Sequence, residues 1–338
     1  MTNKAAKRQK VTARDVASRA GVSKWTVSRA FTPGASISDK ARGKILEIAQ
    51  ELGYRPNLLA RGLSQKHTHI VGVAIDELKN PHSMLLLDEV TRQLQSLGYM
   101  ALLLNITGNN YSAVMSLADQ LQVDGILFMG TALTPEFIAI ALEMHSIPLV
   151  QVGRNTDGQG IDVVNIDDCQ AGRVIARLLM EQGHKKFGYM AGPGSNEGHL
   201  QRKEGFHDAL SSQGFGLTLE FSAEHYDRRL GYDLMKHYLL ETPVHERIEA
   251  LFCENDILAL GAMEALRGVA GKDSVAVVGF DDIDEAAAPA WQLTTYSQRL
   301  DLLVKEALNR LLSGKSDPDG LWKKGELRVR RSHLHISD

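Results

Sequence analysis

Residues 11–31 read "VTARDVASRAGVSKWTVSRAF". Thr12 is a residue type that caps helix starts, and Asp15 stands three positions on, where the acid of a capping box reaches back. Val16, Ala17 and Ala20 make a short apolar stripe at helical spacing. Gly21 stops that helix and Val22 plugs the turn. Ser23 then caps a second helix, "KWTVSRAF", on which Val27, Ala30 and Phe31 turn inward. Two helices joined by a short turn containing Gly are the mark of a helix-turn-helix. After the loop "TPGASIS", Ser38 caps a third helix, "DKARGKILEIAQEL", stopped at Gly53. Its Ala41, Ile45, Ile48, Ala49 and Leu52 form the stripe that closes a three-helix core.

With the inward positions taken, Lys24, Trp25, Ser28 and Arg29 point out. The second helix of such a unit enters the major groove with its N-terminal residues at the base edges. Arg29 can donate two bonds to guanine O6 and N7, worth about 1–3 kcal/mol of discrimination. Lys24 reaches a guanine or a phosphate. Trp25 either offers an apolar face to a thymine methyl or packs half-buried on the small core, and the residues alone leave both readings open.

Charge distribution points the same way. Residues 1–66 carry fourteen Lys/Arg and four Asp/Glu, a balance of +10, in a chain whose net charge is −3. The remainder therefore carries −13. A basic head on an acidic body suits a head that meets a polyanion and a body that does not. Two cysteines, Cys169 and Cys253, make neither a disulfide framework nor a metal-ligand spacing, which fits a reducing compartment. The N-terminus lacks the apolar core of a signal peptide, and no window approaches the ~18 apolar residues of a membrane span. The expectation is a soluble, cytoplasmic chain without a membrane partner.

Beyond residue 67, "HIVGVAID" is a continuous apolar run ending in an acid, as a buried parallel strand is. An amphipathic helix, "HSMLLLDEVTRQLQSLG", follows, then "YMALLLN". The alternation continues through "DGILFMG", "IPLVQVG", "KKFGYMAG", "ALFCEND" and "VAVVGFDD". Strands separated by helix-length segments and ending in Gly, Asn or Asp predict doubly wound α/β architecture. About 270 residues exceed one such unit, so two lobes are expected.

The frame V-T-x-x-D-V-A-x-x-A-G-V-S-x-x-T-V-S-R, then L-G-Y-x-P-N-x-x-A-x-x-L, closely resembles the N-terminal module of LacI/GalR-type bacterial repressors. The resemblance implies that Lys24, Trp25 and Arg29 read an operator, within an interface set of Thr12, Ser23, Lys24, Trp25, Thr26, Ser28 and Arg29. It also implies a hinge helix over "NLLARGLSQK", capped by Asn57 and ordered when paired with a dimer mate on DNA. There Leu63 is the minor-groove wedge and Ala60 lets two hinge helices approach. Gly62 departs from the family's usual serine or glutamine and weakens a helix already short for water.

The remaining chain resembles a type I periplasmic-binding-protein-like effector module. The implied organisation is a DNA-binding domain over 1–56, a hinge over 57–67, and an effector-binding and dimerisation domain over 68–338. Crossovers near Asp167, Ser297 and Glu326 then give an N-lobe of 68–167 with 298–325 and a C-lobe of 168–297 with 326–338.

Ligands of open α/β sheets bind beyond the carboxyl ends of the strands. That rule selects Asp76, Asn80, His82 and Ser83, then Arg154, Asn196, Glu197, His199, Arg202, Tyr226, Asn255, Asp256 and Asp281. Hydroxyl-rich ligands are held by planar groups that donate or accept in pairs, with an aromatic face for ring C–H surface. Matched to the family, the effector set is His82, Ser83, Arg154, Asn196, Arg202, Tyr226, Asn255 and Asp281. Asp256 reads better as the cap of "ILALGAMEAL", and Asp282 as a cap or surface residue. Arg154 with Arg202 would suit a carboxylate or phosphate, whereas Asp281 and Glu197 would repel one unless directed at hydroxyls; a sugar acid or sugar phosphate is read ahead of a neutral sugar.

The overall expectation is a homodimeric repressor of carbohydrate genes. It reads a pseudo-palindromic duplex and is released or engaged by a sugar-like effector. A transport receptor shares the lobes but not the basic helix-turn-helix head. An enzyme is disfavoured because no P-loop, GxSxG, metal-ligand cluster or strand–GxGxxG–helix is present. No cofactor and no metal are expected, and His67 with His69 reads as linker rather than as a metal pair.

Overall fold

The computed structural model describes residues 11–32, 34–56, 67–106, 111–129, 139–140, 143, 147–153, 161–194, 200–268 and 275–334. Two compact units are present, Met1–Thr68 and His69–Asp338.

The first unit holds α1 (Ala13–Ala20), α2 (Lys24–Ala30) and α3 (Asp39–Leu52). Local chemistry sets each boundary. The Asp15 carboxylate accepts from both the backbone N–H and the hydroxyl of Thr12, at 2.8 Å each. Ser23 Oγ accepts the Thr26 N–H at 3.1 Å, and Ser38 Oγ accepts that of Ala41 at 3.3 Å. Gly21 and Gly53 end α1 and α3 in the left-handed region that favours glycine, at φ 69° and 68°. Val16, Ala17, Ala20, Val27, Ala30, Ile45 and Ala49 form the buried core, with Phe31 and Tyr54 edge-to-face at its rim. Side chains of α3 reach across this small unit. Arg42 on α3 donates to the carbonyls of Ala30, Thr32 and Ala35 at 2.8–3.2 Å, tying down the loop after α2.

In the second unit, β1 (Ile70–Ile75), α4 (Pro81–Ser96), β2 (Met100–Asn105), α5 (Tyr111–Gln120), β3 (Gly125–Met129), β4 (Leu149–Val152) and β5 (Asp162–Val164) build the first lobe. Its sheet is parallel throughout, in the order β2-β1-β3-β4-β5. The second lobe follows with α6 (Asp168–Glu181), β6 (Phe187–Ala191), α7 (Arg202–Ser211), β7 (Leu217–Ser222), α8 (Arg228–Glu241), β8 (Ala250–Cys253), α9 (Asp256–Gly268), β9 (Ala276–Phe280) and β10 (Thr294–Ser297). The chain then makes α10 (Leu300–Ser313), which packs on α4, β3, β4 and β5, and adds β11 (Glu326–Arg328). The second sheet runs β11-β10-β9-β8-β6-β7, and only β11 is antiparallel to its neighbour. The chain therefore passes between lobes after β5, after β10 and before β11.

All six residues of β1 and all five of β3 and β9 are buried, as apolar runs covered by helices on both faces must be. The sequence reading did not single out β5, β7, β10 or β11. β5 and β11 are three residues long, and β7 is an edge strand with alternating burial, so none shows a continuous apolar run.

Candidate functional site

The first unit presents one polar face. Lys24, Trp25 and Ser28 are exposed, and Arg29 is half-buried. Trp25 is 66% exposed, so its indole is not part of the core. The Arg29 guanidinium lies over that ring, 4.2 Å from its centroid. Thr12 and Ser23 serve the caps described above, and the Thr26 hydroxyl sits 2.9 Å from Ser23 Oγ. Both hydroxyls are at the start of α2. Asn57, Ala60 and Leu63 of the expected hinge lie outside the described residues.

The second unit holds a cleft between its two lobes. One wall comes from the carboxyl ends of β1, β3 and β4 and the first turn of α4, with Asp76, His82, Ser83, Met129 and Val152. Arg202, Tyr226, Asn255 and Asp281 form the other. His82, Ser83, Arg202, Tyr226, Asn255 and Asp281 are thus brought together from segments up to 199 residues apart. Arg154 and Asn196 lie outside the described residues, as do Glu197 and His199. Residue placement in α4 is local: Asn80 Oδ1 accepts the His82 N–H at 3.1 Å, with Pro81 in the first turn.

Arg202 is 4% exposed and anchors the floor. Its Nε and Nη2 each stand 3.0 Å from Asp168 Oδ1, and Nη1 donates to the Glu254 carbonyl at 2.6 Å. The guanidinium lies 3.5 Å from the centroid of the Phe280 ring. Burial pushes the Asp168 carboxyl up, and Arg202 opposes that push. Burial disfavours the Arg202 charge, but Asp168 first, then Asp281 and Glu254, more than offset it and hold the guanidinium more firmly protonated. This pair leaves Arg202 committed: its fork already grips a carboxylate.

The Glu254 carboxylate takes hydrogen bonds from the hydroxyls of Tyr226 and Tyr189, the latter at 3.2 Å. Burial, then the Glu254 charge, push the Tyr189 phenol well up, so its proton stays in that bond. The Tyr226 ring lies against Gly192, where any side chain would collide with it: a Cβ there would sit 2.0 Å from the ring.

Asp281 occupies a strained backbone position, φ 106°, at the carboxyl end of β9. Its Oδ1 accepts from Gln298 Nε2 at 3.0 Å, and His82 Nδ1 of the opposite lobe stands 3.5 Å from the same atom. Burial raises the Asp281 pKa, while His82, Arg202 and the Gln298 bond oppose the rise. Asn255 Nδ2, Gln298 Oε1 and His82 Nδ1 at the cleft are buried without a hydrogen-bond partner among the described residues, and of these His82 Nδ1 faces the Asp281 carboxylate. Buried polar groups are nearly always satisfied, so atoms left open beside a cleft mark places for ligand atoms.

Two sequence expectations change. Asn255, not Asp256, caps α9: its Oδ1 accepts the Leu258 N–H at 3.0 Å. Asp256 instead accepts from the Ile283 N–H at 2.9 Å and the Thr295 hydroxyl at 2.6 Å, fastening the loop after β9 to β10. Asp282 is a partner of Arg330 at 2.6 Å rather than a cap. Gln298 escaped the sequence reading altogether. It follows no strand of the continuous apolar kind, and a glutamine in "SQRLD" has no periodicity to mark it.

Comparison with known proteins adds an independent line. Residues 12–57 match the family model for bacterial regulatory proteins of the lacI family, and residues 68–312 match that for periplasmic binding proteins and the sugar binding domain of the LacI family. A probable HTH-type transcriptional repressor of Bacillus subtilis (strain 168), ExuR, is 29% identical over 317 residues, 91% of this chain and 93% of that protein. The lac repressor dimer bound to operator and the anti-inducer ONPF superposes with a TM-score of 0.82 at 25% identity, over 96% of this chain and 100% of that one. A transcriptional regulator CelR–cellobiose complex gives 0.66 at 25% identity, again over 96% and 100%. With a helix-turn-helix at one end, a two-lobed α/β cleft module at the other and both family models matched in that order, this chain belongs to the LacI family, as a DNA-binding transcriptional repressor with a sugar-binding domain.

Proposed function

We propose that this repressor controls carbohydrate-metabolism genes and that a small sugar-like effector, bound in the cleft between its lobes, sets its affinity for operator DNA. The observation that carries this reading is the cleft itself. It is lined by paired donors and acceptors from both lobes and keeps the buried Asn255 Nδ2 and Gln298 Oε1 open beside it. A ligand that touches both walls binds one lobe arrangement better than another and thereby shifts their equilibrium. Operator-bound and cellobiose-bound relatives of the same architecture support the two halves of the reading.

The charges of the described walls favour a neutral polyhydroxylated sugar over an acidic one. Arg202 is matched by Asp168, and Asp76 and Asp281 face the space. An anionic effector would depend on Arg154. As a homodimer, the protein would present two helix-turn-helix units to a pseudo-palindromic site in the cytosol, with Lys24, Trp25 and Arg29 at the base edges.

Thermal-shift measurements on the full chain with D-glucose, D-galactose, D-glucuronate, D-galacturonate and a hexose phosphate test the effector half. A bound sugar at 100 times its dissociation constant stabilises by about 2.7 kcal/mol. Flat melting curves across the panel would remove the effector reading. Gel shifts on selected duplexes, with and without the stabilising sugar, test its link to DNA.

A further inference from the structure

Gln298 lies where the chain leaves β10 of the second lobe and enters α10, which packs on the first. It is 9% exposed and borders the cleft. Its two amide atoms face different tasks. Nε2 donates to Asp281 Oδ1 at 3.0 Å, holding the carboxylate on its strained backbone. Oε1 is buried and has no hydrogen-bond partner among the described residues. An amide carbonyl left open in this way costs free energy that an incoming donor recovers.

The neighbours of Gln298 extend toward the first lobe. Its backbone carbonyl accepts the Leu300 N–H at 3.0 Å, opening α10. One residue further, the Asp301 carbonyl accepts from Gln93 Nε2 of α4 at 2.8 Å. At the other end of α4, His82 Nδ1 stands 3.5 Å from the Asp281 oxygen that Gln298 holds. Gln298, Asp281, α4 and the start of α10 thus form a closed circuit around the cleft, spanning both lobes. Within that circuit His82 Nδ1 at least faces the Asp281 carboxylate, whereas the Gln298 carbonyl has no hydrogen-bond partner among the described residues.

We propose that Gln298 both contacts the effector and passes its presence between the lobes: Oε1 accepts a hydrogen bond from a ligand hydroxyl, and the crossover carries the resulting shift into α10 and α4. This rests on the effector reading above. The ligand chemistry it requires is a hydroxyl donor, as on a sugar, beside an acceptor for Asn255 Nδ2.

The test uses full-length Gln298→Met, which keeps the side chain's length and removes both amide atoms, with the sugar that stabilises the wild type in the panel above. The variant binds that sugar about tenfold more weakly, the fold-change that about 1.4 kcal/mol represents. A series of its monodeoxy analogues then locates the partner hydroxyl. One analogue loses about tenfold in the wild type and nothing further in the variant, the signature of a direct pair in a double-mutant cycle. General loosening of the cleft would lower every analogue equally and leave no such coupling. The ratio of operator dissociation constants with and without saturating sugar moves toward one in the variant.

If every analogue loses as much in the variant as in the wild type, the contact is refuted. If the contact is found but the operator ratio is unchanged, the transmission is refuted. If no sugar stabilises the wild type, the effector reading falls first and this inference falls with it, an outcome distinct from the other two.

Discussion

Arg29 stacks its guanidinium on the indole of Trp25, one helical turn away, with 4.2 Å between the charge centre and the ring centroid. The ring beneath is 66% exposed. A tryptophan so placed contributes little to the three-helix core, and its flat face instead limits where the arginine can go. Cation–π pairs at exposed sites are worth about 0.5–1 kcal/mol, enough to bias a side chain without fixing it. Trp25→Ala should therefore leave the melting of the first unit within about 0.5 kcal/mol of wild type, as surface changes do. The same variant should weaken operator binding and narrow the gap between the best site and its base variants. Arg29→Ala should lose about 1–3 kcal/mol of discrimination at one base pair. Gel shifts at fixed salt over a set of base-substituted operators separate the two, and an unchanged preference in Arg29→Ala would refute the readout role.

Arg42 makes a second kind of prediction, about stability. Three carbonyls, at the end of α2 and in the loop after it, depend on its guanidinium. Removing a charged donor costs about 1–3 kcal/mol when its acceptors stay partly buried. Arg42→Ala should lower the unfolding free energy of the helix-turn-helix by that amount, with operator affinity lost in parallel. Hydrogen exchange confined to residues 30–36 would show the loop loosening first.

Asp168 and Arg202 form a fully buried pair, so breaking it should be severe. Asp168→Asn strands a guanidinium in the cleft floor, a change of the class that costs about 3–5 kcal/mol. Urea unfolding of the second unit should register most of that. An Arg202→Met, Asp168→Leu double replacement should recover a large part of the stability while abolishing the effector-dependent change in operator affinity. Full stability in Asp168→Asn would contradict the buried geometry.

The α6–α7 contact is set by glycine. A Cβ at Gly172 would stand 2.1 Å from the Arg202 carbonyl, and one at Gly205 would stand 1.9 Å from that of Cys169. Backbone cannot yield as a side-chain tip does, so Gly172→Ala should separate the helices and move Arg202. A loss of about 1–3 kcal/mol, the usual cost of overpacking, is expected in urea unfolding, together with weaker sugar binding.

His333 links the C-terminal segment to pH. Its Nδ1 lies 2.9 Å from the Thr294 hydroxyl, and its carbonyl oxygen lies 3.1 Å from His184 Nε2. Burial, and then the nearby His184, lower its pKa below the ordinary 6.5. The folded chain therefore binds this proton less readily than the unfolded chain. As pH falls below about 6.5 the unfolded state gains protons first, and stability is lost down to the folded pKa. The buried Asp256, with its pKa pushed up by burial, acts in the opposite sense at acid pH, so total stability mixes both. The difference between wild type and His333→Gln isolates the histidine: it should shrink as pH drops through the range below 6.5. A difference independent of pH from 7.5 to 5.5 in urea midpoints would refute the linkage.

How much of this was legible before folding depends on the range of the interaction. The boundaries of α1, α2 and α3 rest on contacts spanning three or four residues: Thr12 with Asp15, Ser23 with Thr26, Ser38 with Ala41. Such contacts appear in the sequence as spacing, so residue type and position were sufficient. The apolar runs of β1, β3 and β9 were legible for a similar reason, since burial on both faces removes alternation.

Tertiary structure alone decided the rest. Arg202 meets Asp168 across 34 residues, Asp281 meets Gln298 across 17, and His82 meets Asp281 across 199. No local pattern announces these pairs, because only the packing of α6 on α7 and the crossings of the chain between lobes bring their elements together. The sequence reading placed Arg202 and Asp281 at strand ends by rule, yet could not tell that Asp168 had already claimed the arginine. It placed the helix cap on Asp256 when Asn255 holds it, and it passed over Gln298 entirely. By itself the sequence determined the helix-turn-helix, the two-lobed α/β body and the outward residues of α2, through capping and burial that act over a few positions. Which polar atoms are consumed by the protein and which stay open beside the cleft was decided only when distant elements packed, because hydrogen-bond satisfaction is a property of the neighbourhood and not of the residue.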